Sequence, residues 1–390
     1  MFTLGILRTA VFALSGYVLF GVFRFSIGLI LPSVTSEFHL SPTESGVFAS
    51  APLLSGVLTA AIAGYVSDRI SRKLVFTISI LMLWSASLLS SFSPSYLLVL
   101  FFIFVAGAGT GFLIPSVYAI MGNLRPQSRG SLTGMTALTY NFGGFVGSIG
   151  LGAAISLAGW RFSLAALSGM GLIYLPIMFL FMGPLSSSYG PRTEVRSSSS
   201  YLALLKSKNT IFAGAVLFMG NYAAFTITSW TPTYLIQGGI SSSLTGVVIG
   251  AYSLAGGLAA FICGRLADVW SERRLILSTG AVAGIVSIPL YLYHLDFALT
   301  AILMALLGFL LWPYWNLSTS MAQRLVHPAN VGSITGLVQT FGMVGGFLGP
   351  VFTGFLIKYF GFQTGILESV AVSLWFYALL VLPFKEASRR

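Results

Sequence analysis

Residues 64–73 read Gly64-Tyr65-Val66-Ser67-Asp68-Arg69-Ile70-Ser71-Arg72-Lys73. Two hundred residues later the chain reads Gly264-Arg265-Leu266-Ala267-Asp268-Val269-Trp270-Ser271-Glu272-Arg273-Arg274. Each stretch is a short polar interruption between long apolar runs. Glycine permits the tight turn, and an Asp among Arg and Lys can form an ion-pair network at the helix ends. Other pairs recur near the same offset. Leu31-Pro32-Ser33 matches Thr231-Pro232-Thr233, and Gly130-Ser131-Leu132-Thr133-Gly134 matches Gly332-Ser333-Ile334-Thr335-Gly336. Gly143, Gly144 and Gly147 match Gly345, Gly346 and Gly349. Several independent matches at one spacing mark an internal duplication.

Of 390 residues, 56% are hydrophobic and 7% charged. A soluble domain carries about 25% charged residues, so a soluble enzyme and a disordered chain are both excluded. A helix needs about 20 apolar residues to cross the hydrocarbon core. Twelve candidate spans appear, at 11–33, 46–65, 74–91, 97–120, 133–156, 162–182, 209–234, 244–263, 275–293, 298–320, 333–357 and 364–383. The first is read as a retained helix rather than a signal peptide, because no small-residue cleavage site follows it. The expected fold is therefore an all-α membrane protein of twelve transmembrane helices in two pseudo-symmetric six-helix bundles. The Ser-rich stretch at 184–208 reads as a cytoplasmic linker between an N-terminal bundle (1–183) and a C-terminal one (209–390).

The basic residues orient the chain. With the N-terminus cytoplasmic, seventeen of the 20 Lys and Arg fall in inner segments, while Arg161 and Lys358 are outer. That asymmetry obeys the positive-inside rule and puts both termini in the cytoplasm. The net charge of +11 is thus a topology signal, and no nucleic-acid partner is expected. The lone Cys263 excludes an internal disulfide, and the widely spaced His39, His294 and His327 do not suggest a metal site. No cofactor is expected.

The duplicated loop signature resembles that of the major facilitator superfamily of secondary transporters, G-x-x-x-D-R-x-G-R-R/K. Gly64, Asp68, Arg69, Arg72 and Lys73 fit it, with Ser71 for the second glycine; Gly264, Asp268, Arg273 and Arg274 fit in the second copy, with Val269 for Arg. The resemblance covers essentially the whole chain. It implies two six-helix halves with a substrate site near the midplane, a cytoplasmic gating latch at these loops, and a monomer in the cell membrane. The residue-level alternative is that the loop charges only set topology. A drug/proton antiporter motif on the fifth span is incomplete, since Ser148 stands where its proline belongs.

Arg24 is the one Lys or Arg inside a span, and Glu368 sits near the outer end of the twelfth. An Arg at the bilayer centre costs about 2.5–3.5 kcal/mol even on a lenient scale, and such residues face a bundle interior or cavity. No acidic residue lies mid-span to pair with it. A guanidinium fork matches a carboxylate or phosphate, so the missing counter-ion can be the substrate. At the duplication offset Arg24 aligns with Ala224, and the shared scaffold does not demand the charge. The alternative is an Arg bonded to carbonyls or tyrosines for packing or gating. By the resemblance, spans 1, 4, 7 and 10 line the cavity. Candidate substrate contacts are Arg24, Tyr17 and Phe20 on span 1, Tyr118 on span 4, Tyr140 and Asn141 on span 5, Asn221 and Tyr222 on span 7, Trp312, Trp315 and Asn316 on span 10, and Gln339 on span 11.

The expected function is transport, by alternating access, of a small organic anion, most simply a carboxylate. Span 1 lacks the acidic residue of proton-coupled sugar and peptide symporters, so exchange, symport on a substrate proton and uniport all stay open. An exporter of hydrophobic compounds or drugs is the alternative, favoured by 14% aromatic residues. A receptor would be expected to carry a soluble signalling domain, an enzyme is the least expected class, and without a nucleotide-binding glycine loop ATP-driven transport by this chain alone is not expected.

Overall fold

A computed structural model describes residues 2–67, 71–124, 129–182, 207–266, 270–293, 295–324, 326 and 331–383. Among the described residues every regular element is a helix. In the first half the helices are α1 (Phe2–Glu37), α2 (Pro42–Ser67), α3 (Arg72–Ser91), α4 (Tyr96–Leu124), and α5 and α6, which share the run Arg129–Phe181. In the second half they are α7 (Lys208–Gln237), α8 (Ser242–Leu266), α9 (Glu272–Leu292), α10 (Phe297–Leu311), α11 (Tyr314–Arg324), α12 (Val331–Phe360) and α13 (Phe362–Leu379).

Ten stretches are long and apolar enough to cross a membrane. One of them, Met135–Phe181, has 47 residues. At 1.5 Å per residue it is about 70 Å long, more than twice the hydrocarbon thickness. It turns back at Gly159, where φ is 76° and ψ 169°, and so divides into α5 and α6. With α2, whose 26 residues pack between α4 and α12, the helices accommodate twelve crossings. The expected loop between spans 5 and 6 is thus a single residue. Span 10 differs too: it breaks into α10 and α11 at Trp312-Pro313. Proline has no N–H to donate to the preceding turn and its ring collides with that turn's carbonyl.

Gly159 occupies a backbone region open essentially to glycine alone, and Gly361 repeats it at the α12–α13 turn with φ 85° and ψ 164°. Gly159→Ala is expected to destabilise the protein by about 1–3 kcal/mol, read as a lower thermal unfolding midpoint in detergent.

The duplication is visible in the packing. Gly143 lies against the Val18 backbone and Gly345 against that of Phe218; Gly147 lies against Val22 and Gly349 against Tyr222. The glycine runs let α5 and α12 approach the first helix of their own half, as small residues do in membranes. Ser71 caps α3 through the Leu74 N–H, and Ser271 caps α9 through the Arg274 N–H. The Lys73 ammonium donates to the Met182 carbonyl at 2.8 Å, and the Arg273 guanidinium to the Leu382 carbonyl at 2.9 Å.

Among the described residues, two ionic ties fall outside the duplication. Near one end of the first half, Arg161 bonds Glu37 at 2.6 and 3.0 Å and donates to the Ser91 and Ser93 carbonyls. Trp160 Nε1 donates to the other Glu37 oxygen at 2.7 Å. In the second half, buried Glu272 joins Arg324 at 2.9 Å and Ser320 at 2.8 Å, tying α9 to α11.

The halves meet at the end carrying the α1–α2 and α7–α8 turns. A side chain at Gly28 would overlap the Thr228 carbonyl. One at Gly46 would lie 2.5 Å from the Pro350 oxygen, and one at Gly152 2.6 Å from that of Ser242. Ser50 donates to the Phe347 carbonyl at 2.8 Å. The bundle is therefore sealed at this end.

Candidate substrate cavity

Between the halves, on the α1-start side of that seal, lies a cavity of about 230 Å³. Its walls come from α1, α2, α4 and α5 on one side and α7, α8, α10–α11 and α12 on the other. The volume suits a compact small molecule.

Arg24 is 5% exposed and lines it. Its Nε, Nη1 and Nη2 are all buried without a hydrogen-bond partner. The guanidinium carbon lies 4.2 Å from the centroid of the Phe225 ring on α7. A cation over an aromatic face gains about 1–2 kcal/mol when desolvated. That leaves most of the several-kcal/mol cost of a buried charge uncompensated.

The cavity's sides are aromatic. Tyr17 and Phe20 stand at helical spacing on α1, with ring centroids 5.4 Å apart. Tyr140 reaches them from α5, 5.3 Å from Phe20, and touches Trp312 at 5.8 Å from the opposite half. Trp312 is buried and its indole N–H has no acceptor. Trp315, Asn316 and Gln339 also face the space, as does Asn221. The Asn221 carbonyl oxygen accepts from the Tyr314 hydroxyl at 2.8 Å, while its Nδ2 is buried and unpartnered. Asn141 lines the wall with its amide already engaged. Its Nδ2 donates to the Ala137 carbonyl at 3.0 Å, and Ser253 of α8 donates to its backbone oxygen at 2.9 Å.

Ten of the twelve candidate contacts read from the sequence therefore come together around one cavity. Tyr222 does not. It follows Asn221 on α7, about 100° further round the helix, and that rotation carries it away from the space. Tyr222 turns into a buried hydroxyl cluster between α7, α12 and α13, bonded to Ser369 at 2.8 Å, with Thr353 and Thr226 beyond. Tyr222→Phe is expected to cost about 1 kcal/mol of stability and to leave anion affinity unchanged in a ligand-induced melting shift. The Tyr118 side chain lies outside the described residues.

Sequence reasoning missed Phe225, Tyr314 and Phe23. Phe225 was readable as the residue one helical turn from Asn221. Tyr314 sits between the candidates Trp312 and Trp315, but its partner Asn221 lies 93 residues away.

Of the loop residues, Asp68, Arg69 and Asp268 lie outside the described residues, as do the side chain of Arg72 and the surroundings of Gly64 and Gly264. Lys73 and Arg273 bond carbonyls within their own halves, so neither latches one half to the other here. Arg274 is placed by Ser271 at its backbone N–H.

A family model described as Major Facilitator Superfamily matches residues 13–350 and 238–389. The chain belongs to that superfamily and is an integral membrane protein. It is 24% identical over 387 residues to the hexuronate transporter of Bacillus subtilis (strain 168), covering 93% of this chain and 90% of that one. It is also 24% identical over 402 residues to the benzoate transport protein of Acinetobacter baylyi, covering 90% and 83%. In fold it matches a bacterial homologue of the human lysosomal transporter Spinster, with a TM-score of 0.79 at 15% identity over 97% of this chain and 95% of that one.

Proposed function

We propose that the protein is a secondary transporter of a small organic carboxylate, working as a monomer in the cell membrane with both termini cytoplasmic. The observation that carries this reading is Arg24. A buried guanidinium with no hydrogen-bonded partner, facing an aromatic-walled cavity, lacks only an anion. The names of its relatives, for hexuronate and for benzoate, agree: both substrates are ring compounds bearing one carboxylate.

In the proposed cycle the carboxylate pairs with Arg24 while its ring lies among Tyr17, Phe20, Tyr140 and Trp312. The halves then rock about this site, opening the Gly28–Thr228 end as the other closes. Binding from both halves holds the substrate through the movement. Its coupling is exchange, symport or uniport.

The test is uptake of labelled benzoate and glucuronate into proteoliposomes, against neutral sugars and lipophilic cations as competitors. Saturable uptake blocked by carboxylates but not by cations supports the reading. Competition by lipophilic cations with no carboxylate uptake would replace it with the exporter of hydrophobic compounds.

A further inference from the structure

Three residues that line the cavity bury polar side-chain atoms lacking a partner: Arg24, Asn221 and Trp312. Every one of those atoms is a nitrogen that can donate: three on the guanidinium, one amide Nδ2 and one indole Nε1. A buried donor left unpaired costs about 1–3 kcal/mol. The cavity therefore stores unmet demand for acceptors, from both halves of the molecule.

Arg24 and Asn221 line the same cavity, and the α7 residue that Arg24 touches, Phe225, is one helical turn from Asn221. The Asn221 side chain is fully buried, and its rotation is constrained on two sides. Tyr314 occupies the carbonyl oxygen, and the Nδ2 lies so near Gly342 that a Cβ there would be 2.5 Å away. With the oxygen bound, the amide can offer only its N–H groups.

We propose that Asn221 is a second anion-binding residue, that Tyr314 positions it by fixing which end of the amide faces the ligand, and that the carboxylate is held between Arg24 of one half and Asn221 of the other. This rests on the carboxylate reading above. It adds that the anion bridges the two halves, so that binding energy is tied to their relative position. It also assigns selectivity: an amide turned donor-first favours a charged carboxylate over a neutral carboxamide, whose own N–H groups find no acceptor there.

The test measures ligand-induced stabilisation of purified protein by benzoate, glucuronate and, as neutral isostere, benzamide. Asn221→Ala is expected to weaken anion binding about tenfold or more, since a hydrogen bond to a charged group contributes about 1.5–3 kcal/mol. Tyr314→Phe frees the amide to turn, and is expected to weaken anions severalfold and narrow the benzoate-over-benzamide preference. A purely structural tyrosine would lower the melting temperature and leave that preference alone. Asn221→Asp supplies an internal carboxylate to Arg24. It should melt higher than wild type without ligand and lose the response to anions. If Asn221→Asp does not fold, Asn221→Ala decides. Wild-type anion affinity in Asn221→Ala, with Arg24→Gln inactive, overturns this inference and leaves the carboxylate reading standing. Wild-type affinity in Arg24→Gln, or no response of the wild type to either anion, overturns both.

Discussion

Arg24→Gln is expected to weaken anion binding by at least about thirtyfold and to raise the melting temperature of the ligand-free protein. Both effects come from one fact. The guanidinium is buried, lacks hydrogen-bond partners and has only the Phe225 ring against it. Its desolvation costs several kcal/mol, and in the empty protein the ring returns only a fraction. A neutral amide of similar reach removes that cost. With the anion present the balance reverses. Removing one member of a buried, hydrogen-bonded charge pair costs about 2–5 kcal/mol, or roughly thirtyfold to several thousandfold in affinity. Arg24→Lys keeps the charge but loses the planar two-point fork, and about a tenfold loss is expected. The measurement is the melting temperature in detergent with and without benzoate. A variant that melts lower than wild type and still responds to benzoate would show that Arg24 holds the helices rather than the substrate.

Gly28→Val is expected to leave anion binding in place and to remove more than about nine-tenths of transport. A Cβ at this position overlaps the Thr228 carbonyl and lies 3.2 Å from the Ser229 Cα. Both are backbone atoms of a helix and cannot step aside as a flexible side chain would. The sealed end then cannot close, and the halves stay parted there. A penalty of about 3 kcal/mol shifts such an equilibrium by more than a hundredfold. The readouts are proteoliposome uptake and the distance between spin labels on Phe38→Cys and Ile240→Cys, in a Cys263→Ser background. The distance should lengthen and uptake collapse. Gly150→Val is the control, because its Cβ would meet nothing within 4 Å. Normal uptake and an unchanged distance in Gly28→Val would refute the closure argument.

Much of this architecture was legible in the chain. The offset of about 200 residues that pairs Gly143 with Gly345 reappears as two equivalent glycine contacts on α1 and α7. The isolation of Arg24 in an apolar span pointed to a cavity because hydrocarbon does not tolerate an unshielded charge. Three features were not legible, for definite reasons. The break at Pro313 and the run-through at Gly159 depend on local backbone geometry, and apolar length does not report it. Tyr222 was as plausible as Asn221 until the rotation of α7 was known. The Glu37–Arg161 tie joins residues 124 apart in sequence, and in the linear chain each reads only as a charge near an interface.

Lys73 and Arg273 each fasten the start of the third helix of a half to a carbonyl just past the end of its last helix. Each bundle is thereby closed on itself before it meets the other. The protein is in effect a heterodimer of diverged pseudo-subunits that share one polypeptide. Only one pseudo-subunit carries the charge in the cavity, and its counterpart at position 224 is the small, neutral Ala224. Sequence drift can therefore retune the two separately. Changes on α7, α11 and α12 can alter the shape of the accepted ring while the partner bundle keeps the charge that defines an anion.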